Sequence, residues 1–267
     1  MEAGALDSWQ GLAALAISIG FSTIRLAVAF LVVPLFSNEI MPALVRNSVF
    51  AALGFVVALA HPVDALLDAS LGYLLLVVAK EIFLGLCLGF VFGVFLWAFE
   101  AAGEIIDTQV GSAQAQIFDP LSGHEVTLFG EFLGRLVNVL FLTVGGLMLL
   151  VGLTLKSFAV WPVAAALPSL ESAGAMLLAA SFSDVFTLIV LVSAPILTVL
   201  FLIDLGMGMI NRFAQRLNVF FLSNSIKSIV AVLLTLLMLP MILDTLRRTL
   251  EANAAETTAI VRALFGG

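Results

Sequence analysis

The chain has 267 residues, of which 62% are hydrophobic and 11% charged, with a formal net charge of −7; the mean hydropathy is +1.20. Soluble domains carry roughly 25% charged residues, so the composition excludes an ordinary water-soluble fold and implies an integral membrane or membrane-like protein. The acidic balance argues against nucleic acid and anionic lipid surfaces as partners, and a single Cys87 cannot form an internal disulfide.

The opening residues, MEAGALDSWQ, are acidic and lack the basic start of a cleaved signal peptide, so the first apolar helix is expected to direct insertion. That run, residues 12–36, is long enough to cross a hydrocarbon layer about 30 Å thick. It carries Arg25 near its middle and Pro34 near its end. Ser37-Asn38-Glu39 offers N-cap chemistry, and Pro42 suits the first turn of the second run, residues 43–60, which carries Arg46. After the turn at His61-Pro62-Val63-Asp64 comes the longest run, residues 71–99, with Lys80 and Glu81 embedded. Its Gly85, Gly89 and Gly93 fall on one helical stripe, a surface that another backbone can approach closely.

Residues 100–125, EAAGEIIDTQVGSAQAQIFDPLSGHE, read unlike the runs on either side. They are small or amide-bearing, carry acidic charge without Lys or Arg, and close on Phe118-Asp119-Pro120, a turn signal. A loop of this length inside a compact protein is usually functional or disordered. Disorder would leave Ile105, Ile106, Val110, Ile117 and Phe118 in water, so a packed loop is expected. Glu104 and Asp107 are expected to be its solvated acidic edge, since nothing nearby would raise a carboxyl pKa for acid–base work.

The fourth run, residues 127–155, places Glu131 and Arg135 at i, i+4, where they can pair within a helix. Residues 156–183 form a looser connection with Trp161-Pro162, Pro168 and a short helix over 170–180. The fifth run, 185–210, contains Pro195 and Asp204; a basic connection, NRFAQRLNVFFLSNSIK (211–227), leads to the sixth, 226–246. Arg247-Arg248 then open a polar tail. The expected fold is therefore all-α, with membrane-type helical hairpins and a long central loop between the third and fourth apolar helices.

Two features resist a plain bilayer protein. Ionisable residues at a helix centre cost about 2.5 to 3.5 kcal/mol each on insertion, yet Arg25, Lys80, Glu81, Glu131, Arg135 and Asp204 all fall inside apolar runs. The N-terminus and the turn over 61–70 lack Lys and Arg and should face outward, while Arg46, the 211–227 connection and Arg247-Arg248 should face inward. Simple crossing by every run would put the tail outside, against its charge. Either a run does not cross, or lipid is not the mature environment.

No enzyme is visible. His61 and His124 stand apart from any ligand cluster, so no metal or other cofactor is expected. The chain lacks a G-x-S-x-G elbow and a phosphate-cradling G-x-x-x-x-G-K-[ST] loop. Cys87 has no activating neighbour in sequence. A secondary transporter remains an alternative, with broken helices at Pro195 and Gly206–Gly208 and a midplane Asp204, but the halves show no convincing repeat. An intramembrane protease would need paired aspartates or a Ser/His arrangement.

The segment FLWAFEAAGEIIDTQVGSAQAQIFDP, residues 95–120, closely resembles the FliR/SctT family of type III secretion export-gate proteins. Arg25 followed by Pro34-Leu35-Phe36 and Pro42 resembles the family's first hairpin. QRLNVFFL (215–222) followed by Ile226-Lys227-Ser228 resembles its penultimate connection, in a form closer to the virulence branch, SctT, than to flagellar FliR. The match covers residues 12–246 and is specific at these segments.

The resemblance implies a single T subunit completing a pseudo-helical pore with R and S subunits in the bacterial inner membrane, at the centre of the secretion-system base. The U switch protein and the V export protein are implied neighbours, and unfolded secretion substrates the cargo. The family's central loop is a channel plug, here Gln109, Val110, Gly111, Ser112, Ala113, Gln114, Ala115, Gln116, Ile117 and Phe118, anchored by Gly103, Asp107, Asp119 and Pro120. The six embedded charges become inter-subunit or intrahelical pairs. Gln215, Asn218, Phe220, Phe221 and Lys227 mark the C-terminal hairpin connection. The implied division is an R-like part over 1–156 including the plug loop, an S-like helix pair over 157–246, and a tail over 247–267.

Overall fold

The structure, a computed structural model, describes residues 2–36, 41–61, 66, 69–111, 117–118, 125–165, 172–213 and 219–265. Its helices in chain order are α1 (Glu2–Val32), α2 (Ala43–Ala60), α3 (Leu71–Val110), α4 (Leu128–Thr143), α5 (Gly146–Val160), α6 (Ser172–Phe213) and α7 (Val219–Phe265). A 3-10 turn, Pro34–Phe36, follows α1. Two-residue strands β1 (Ile117–Phe118) and β2 (Glu125–Val126) pair antiparallel, with Ile117 opposite Val126. Among the described residues five helices are long and apolar enough to cross a membrane, or up to six spans if α4 and α5 form one broken span. The chain is a membrane-type, all-α protein.

Several boundaries differ from the sequence expectation. Residues 100–110, expected as the first part of the loop, are the last three turns of α3. Nothing in EAAGEIIDTQV forbids a helix, and Ala102, Ile106 and Val110, spaced at helical intervals, are all buried. The fourth run is two helices. Gly145 takes φ +89°, a left-handed conformation that stops α4 and opens α5, and glycine adopts it without a Cβ penalty. Residues 172–180 of the expected short helix are the start of α6, which runs to Phe213, and α7 begins at Val219, so both helices enter the expected basic connection. The polar tail continues α7 to Phe265. Ser37 to Glu39, Pro62 to Asp64, and the candidates Ser112, Ala113, Gln114, Ala115, Gln116, Asp119, Pro120, Gln215 and Asn218 lie outside the described residues.

The chain divides into two compact units. The first holds Met1–Gly93, Gly145–Ser181 and Asn253–Gly267. Here α1 and α2 form a hairpin closed by Phe30, Phe36 and Phe50, whose ring centroids lie 4.9 to 5.9 Å apart. The glycine stripe meets α1: a Cβ at Gly85 would sit 2.8 Å from the Arg25 carbonyl, and one at Gly89 would sit 2.5 Å from the Ala29 carbonyl. Backbones come this close only where side chains are missing.

The second unit holds Val94–Val144 and Phe182–Ala252. The later turns of α3 bury Phe95, Leu96, Phe99, Ala102, Ile106 and Val110, and α4 buries Phe129, Leu133, Val137 and Phe141. Gly103 is the contact point, since a Cβ there would run into the Phe129 carbonyl. Apolar surface remains on α6 and α7, where Phe186, Phe201, Leu237 and Phe221 are exposed. In a membrane protein such faces meet lipid or apolar helices of other chains.

Candidate functional site

Among the described residues two polar clusters stand out, one in each unit. In the first unit Arg25, on α1, points at Glu81, on α3, and both side chains are fully buried. The contact is a two-pronged fork: Nε donates to Oε2 at 2.6 Å and Nη2 to Oε1 at 2.9 Å. Nη1 donates to the Ser157 hydroxyl and Nη2 also to the Trp161 carbonyl, each at 2.9 Å. The guanidinium carbon lies 4.0 Å from the Phe158 ring centroid. Planar forks of this kind make the strongest charge-assisted hydrogen bonds, and only such saturation makes a buried charge tolerable.

Lys80 takes a different set of partners. Its ammonium is 3.2 Å from Glu81 Oε1 and donates to the carbonyls of Pro162, Val163 and Ala165 at 3.1, 2.6 and 3.3 Å. The Tyr73 hydroxyl donates to the carbonyl of Ala164 at 2.8 Å. The non-helical segment after α5 is thereby fastened to α3.

The second cluster lies where α3 ends and the central segment begins. Lys227, on α7, is buried and lies 3.0 Å from Asp204 Oδ1, on α6. Its ammonium donates to the Gln109 carbonyl at 2.8 Å, one of the last α3 carbonyls that have no partner within the helix. The Gln109 amide donates to Asp204 Oδ2 at 2.9 Å, and the Ser223 hydroxyl to Asp204 Oδ1 at 3.1 Å. Beyond Gln109, Val110 is buried and Gly111 turns to φ +84°. A Cβ on Gly111 would lie 3.0 Å from the Asn224 side chain.

Asp107 departs from its expected place. It is fully buried rather than a solvated edge, and its Oδ2 accepts from the backbone N–H groups of Phe129 and Gly130 at 2.7 and 3.0 Å. These donors open α4, whose own N-cap, Thr127, makes no side-chain cap bond. A carboxylate from α3 therefore supplies the N-terminal cap of another helix, with the charge sign that the helix dipole favours.

Within this chain Arg25 pairs with Glu81 between α1 and α3, Lys227 with Asp204 between α7 and α6, and Lys80 with Glu81 inside α3 itself. The physical reason is proximity. The glycine stripe brings α1 against α3, and Lys227 brings an ammonium to Asp204. Glu131 and Arg135 do pair within α4 across one turn, and Arg135 is exposed. Phe221 on α7 is also exposed, and the backbones of Ile117 and Phe118 form β1, while that of Phe220 belongs to α7. Among the described residues no three His, Cys, Asp or Glu side chains gather where a metal could be held.

Comparison with known proteins bears directly on these segments. The family model described as bacterial export proteins, family 1, matches residues 16–252. The Yop proteins translocation protein T of Yersinia pestis is 32% identical over 211 residues, covering 79% of this chain and 81% of that protein. The flagellar biosynthetic protein FliR of Bacillus subtilis is 30% identical over 244 residues, 91% of this chain and 93% of its own. The secretion system apparatus protein SsaT of Salmonella typhimurium is 32% identical over 224 residues, 80% and 86% respectively.

The chain belongs to this family of bacterial export proteins. It is a FliR/SctT-type membrane component of an export apparatus. Both polar clusters fall inside the family match, which covers Arg25 through Lys227. Asp107, Ser157, Tyr73, Ser223 and the Trp161–Ala165 carbonyls carry no local sequence signature for their roles. Each acts on a partner far along the chain, and spacing rules see only neighbours.

Proposed function

We propose that this chain is the T subunit of a type III secretion export gate, of the virulence rather than the flagellar branch. With R and S subunits it lines the hole through which unfolded substrates cross the inner membrane, beside the U switch protein and the V export protein. Residues 1–156 are its R-like part and 157–246 its S-like part. The segment from Gln109 to Phe118 stops the hole when no substrate is present. It suits that task because it is free of charge, small-residued and amide-bearing, so it can seal against ions without binding a passing chain tightly.

The observation that supports this reading is the end of α3, where a helix of membrane length ends in a polar grip at Gln109 and a glycine turn at Gly111. Ordinary extramembrane loops need no such grip. The test is the assembled complex in planar bilayers, comparing wild type with a deletion of residues 110–117 and with Gly111→Asp. The substitution puts a Cβ on a left-handed residue, which costs up to about 1–2 kcal/mol, and drives a carboxylate toward Asn224. Both variants are expected to leak ions in the absence of substrate. Unchanged conductance in both overturns the stopper reading. Complementation of virulence-type against flagellar export decides the branch.

A further inference from the structure

We infer that Lys227 and Asp204 are the positioning residues that hold the exit of α3, and so set the resistance of the gate segment to displacement. This inference rests on the stopper reading above. A simple brace between α6 and α7 would need only the 3.0 Å ion pair. The structure uses more. Lys227 also donates to the Gln109 main chain at 2.8 Å, and Asp204 accepts the Gln109 side chain at 2.9 Å. One residue is thus gripped by its backbone from α7 and by its side chain from α6. It stands two positions before the Gly111 turn.

The chemistry fits a latch that yields. Lys227 is 8% exposed at its side chain and Asp204 35%, so the pair is neither fully desolvated nor free in water. Fully buried pairs such as Arg25–Glu81 resist opening, and exposed ones contribute little. The Gln109 carbonyl is a helix C-terminal acceptor carrying the negative end of the helix dipole, which a lysine ammonium satisfies without a specific side chain opposite. Ser223 donates to Asp204 from α7 and keeps the carboxylate oriented when Gln109 leaves. When α3's exit moves, Lys227 retains Asp204 as a partner, so the grip can break and reform with no orphaned charge.

The experiment uses the full chain in its complex with the other export subunits, with Lys227→Met, Lys227→Arg and Gln109→Ala. Amide exchange is followed at residues 106–111 and at 196–203 of α6, and closed-state conductance is measured beside the 110–117 deletion. Lys227→Met is expected to raise exchange at 109–111 by tenfold or more, to leave 196–203 unchanged, and to give a leak between wild type and deletion. Lys227→Arg is expected to keep exchange near wild type, because a guanidinium also donates to both oxygens. Gln109→Ala retains the ion pair and the main-chain bond, so it should give a smaller rise confined to the same residues. Equal rises in both segments, or none at 109–111 in Lys227→Met, overturn the positioning role. A silent deletion overturns the stopper reading alone, since the exchange data still decide the latch. Should Lys227→Met fail to assemble, Asp204→Asn, which keeps an acceptor oxygen but removes the charge that holds Lys227, decides it with Gln109→Ala: no rise at 109–111 in either overturns the role.

Discussion

Glu81→Gln is the sharpest perturbation of the first unit. The three buried side chains Arg25, Lys80 and Glu81 carry two positive charges and one negative, with Glu81 contacts of 2.6, 2.9 and 3.2 Å. Glutamine keeps one acceptor oxygen but turns an NH₂ toward a guanidinium or an ammonium, leaving two buried cations without an anion between them. Removing one partner of a buried pair costs about 3–5 kcal/mol, and every 1.4 kcal/mol is tenfold in an equilibrium constant, so the folded-to-unfolded ratio falls by roughly two to three and a half orders of magnitude. The double variant Arg25→Met/Glu81→Gln removes one cation as well, and Lys80 keeps its three carbonyls. It is therefore expected to be more stable than Glu81→Gln alone. Thermal and denaturant midpoints of the detergent-purified complex read both values. A single-variant cost below about 1 kcal/mol, or a double variant less stable than the single, refutes the claim that the anion compensates buried positive charge.

Two further changes probe the helix contacts. Asp107→Ala leaves the Phe129 and Gly130 N–H groups without their carboxylate and should cost about 1–3 kcal/mol, seen as faster amide exchange confined to the first turn of α4; Asp107→Asn, which keeps an acceptor, should be milder. Gly89→Leu pushes a side chain into the α1 backbone and should cost about 1–3 kcal/mol or more, lowering the yield of folded protein. Gly20→Ala, with nothing within 4 Å of the new Cβ, serves as the neutral control.

Hydropathy and periodicity located the apolar helices, because burial in lipid or protein leaves long unbroken runs. The bounds of α2 came directly from Pro42 and His61, punctuation that acts locally. The glycine stripe was readable for the same reason, since helical spacing alone puts Gly85 and Gly89 on one face. The reach of α3 was not readable. Glycine and acidic residues around 103–107 look like a loop until Asp107 is seen to be buried against α4. The break at Gly145 was also hidden, because Val144-Gly145-Gly146 differs little from glycines that helices tolerate, and only its φ reveals the stop. The charges were visible as anomalies, and the i, i+4 pair Glu131–Arg135 was readable, but Arg25 reaches Glu81 and Trp161 across 56 and 136 positions and Asp204 reaches Lys227 across 23, beyond any spacing rule.

Between α5 and α6, five successive carbonyls, from Trp161 to Ala165, each accept a hydrogen bond from Arg25, Lys80 or Tyr73. Unsatisfied peptide groups cost several kcal/mol apiece in hydrocarbon; the Pro162 carbonyl has a second donor in the Ala165 N–H, while the others in this short irregular stretch rely on those side chains to tolerate apolar surroundings. For anyone labelling the protein, it is a poor address. An epitope or fluorophore spliced in there would strip the stretch of its donors at once, and a protease would find no slack peptide to cut.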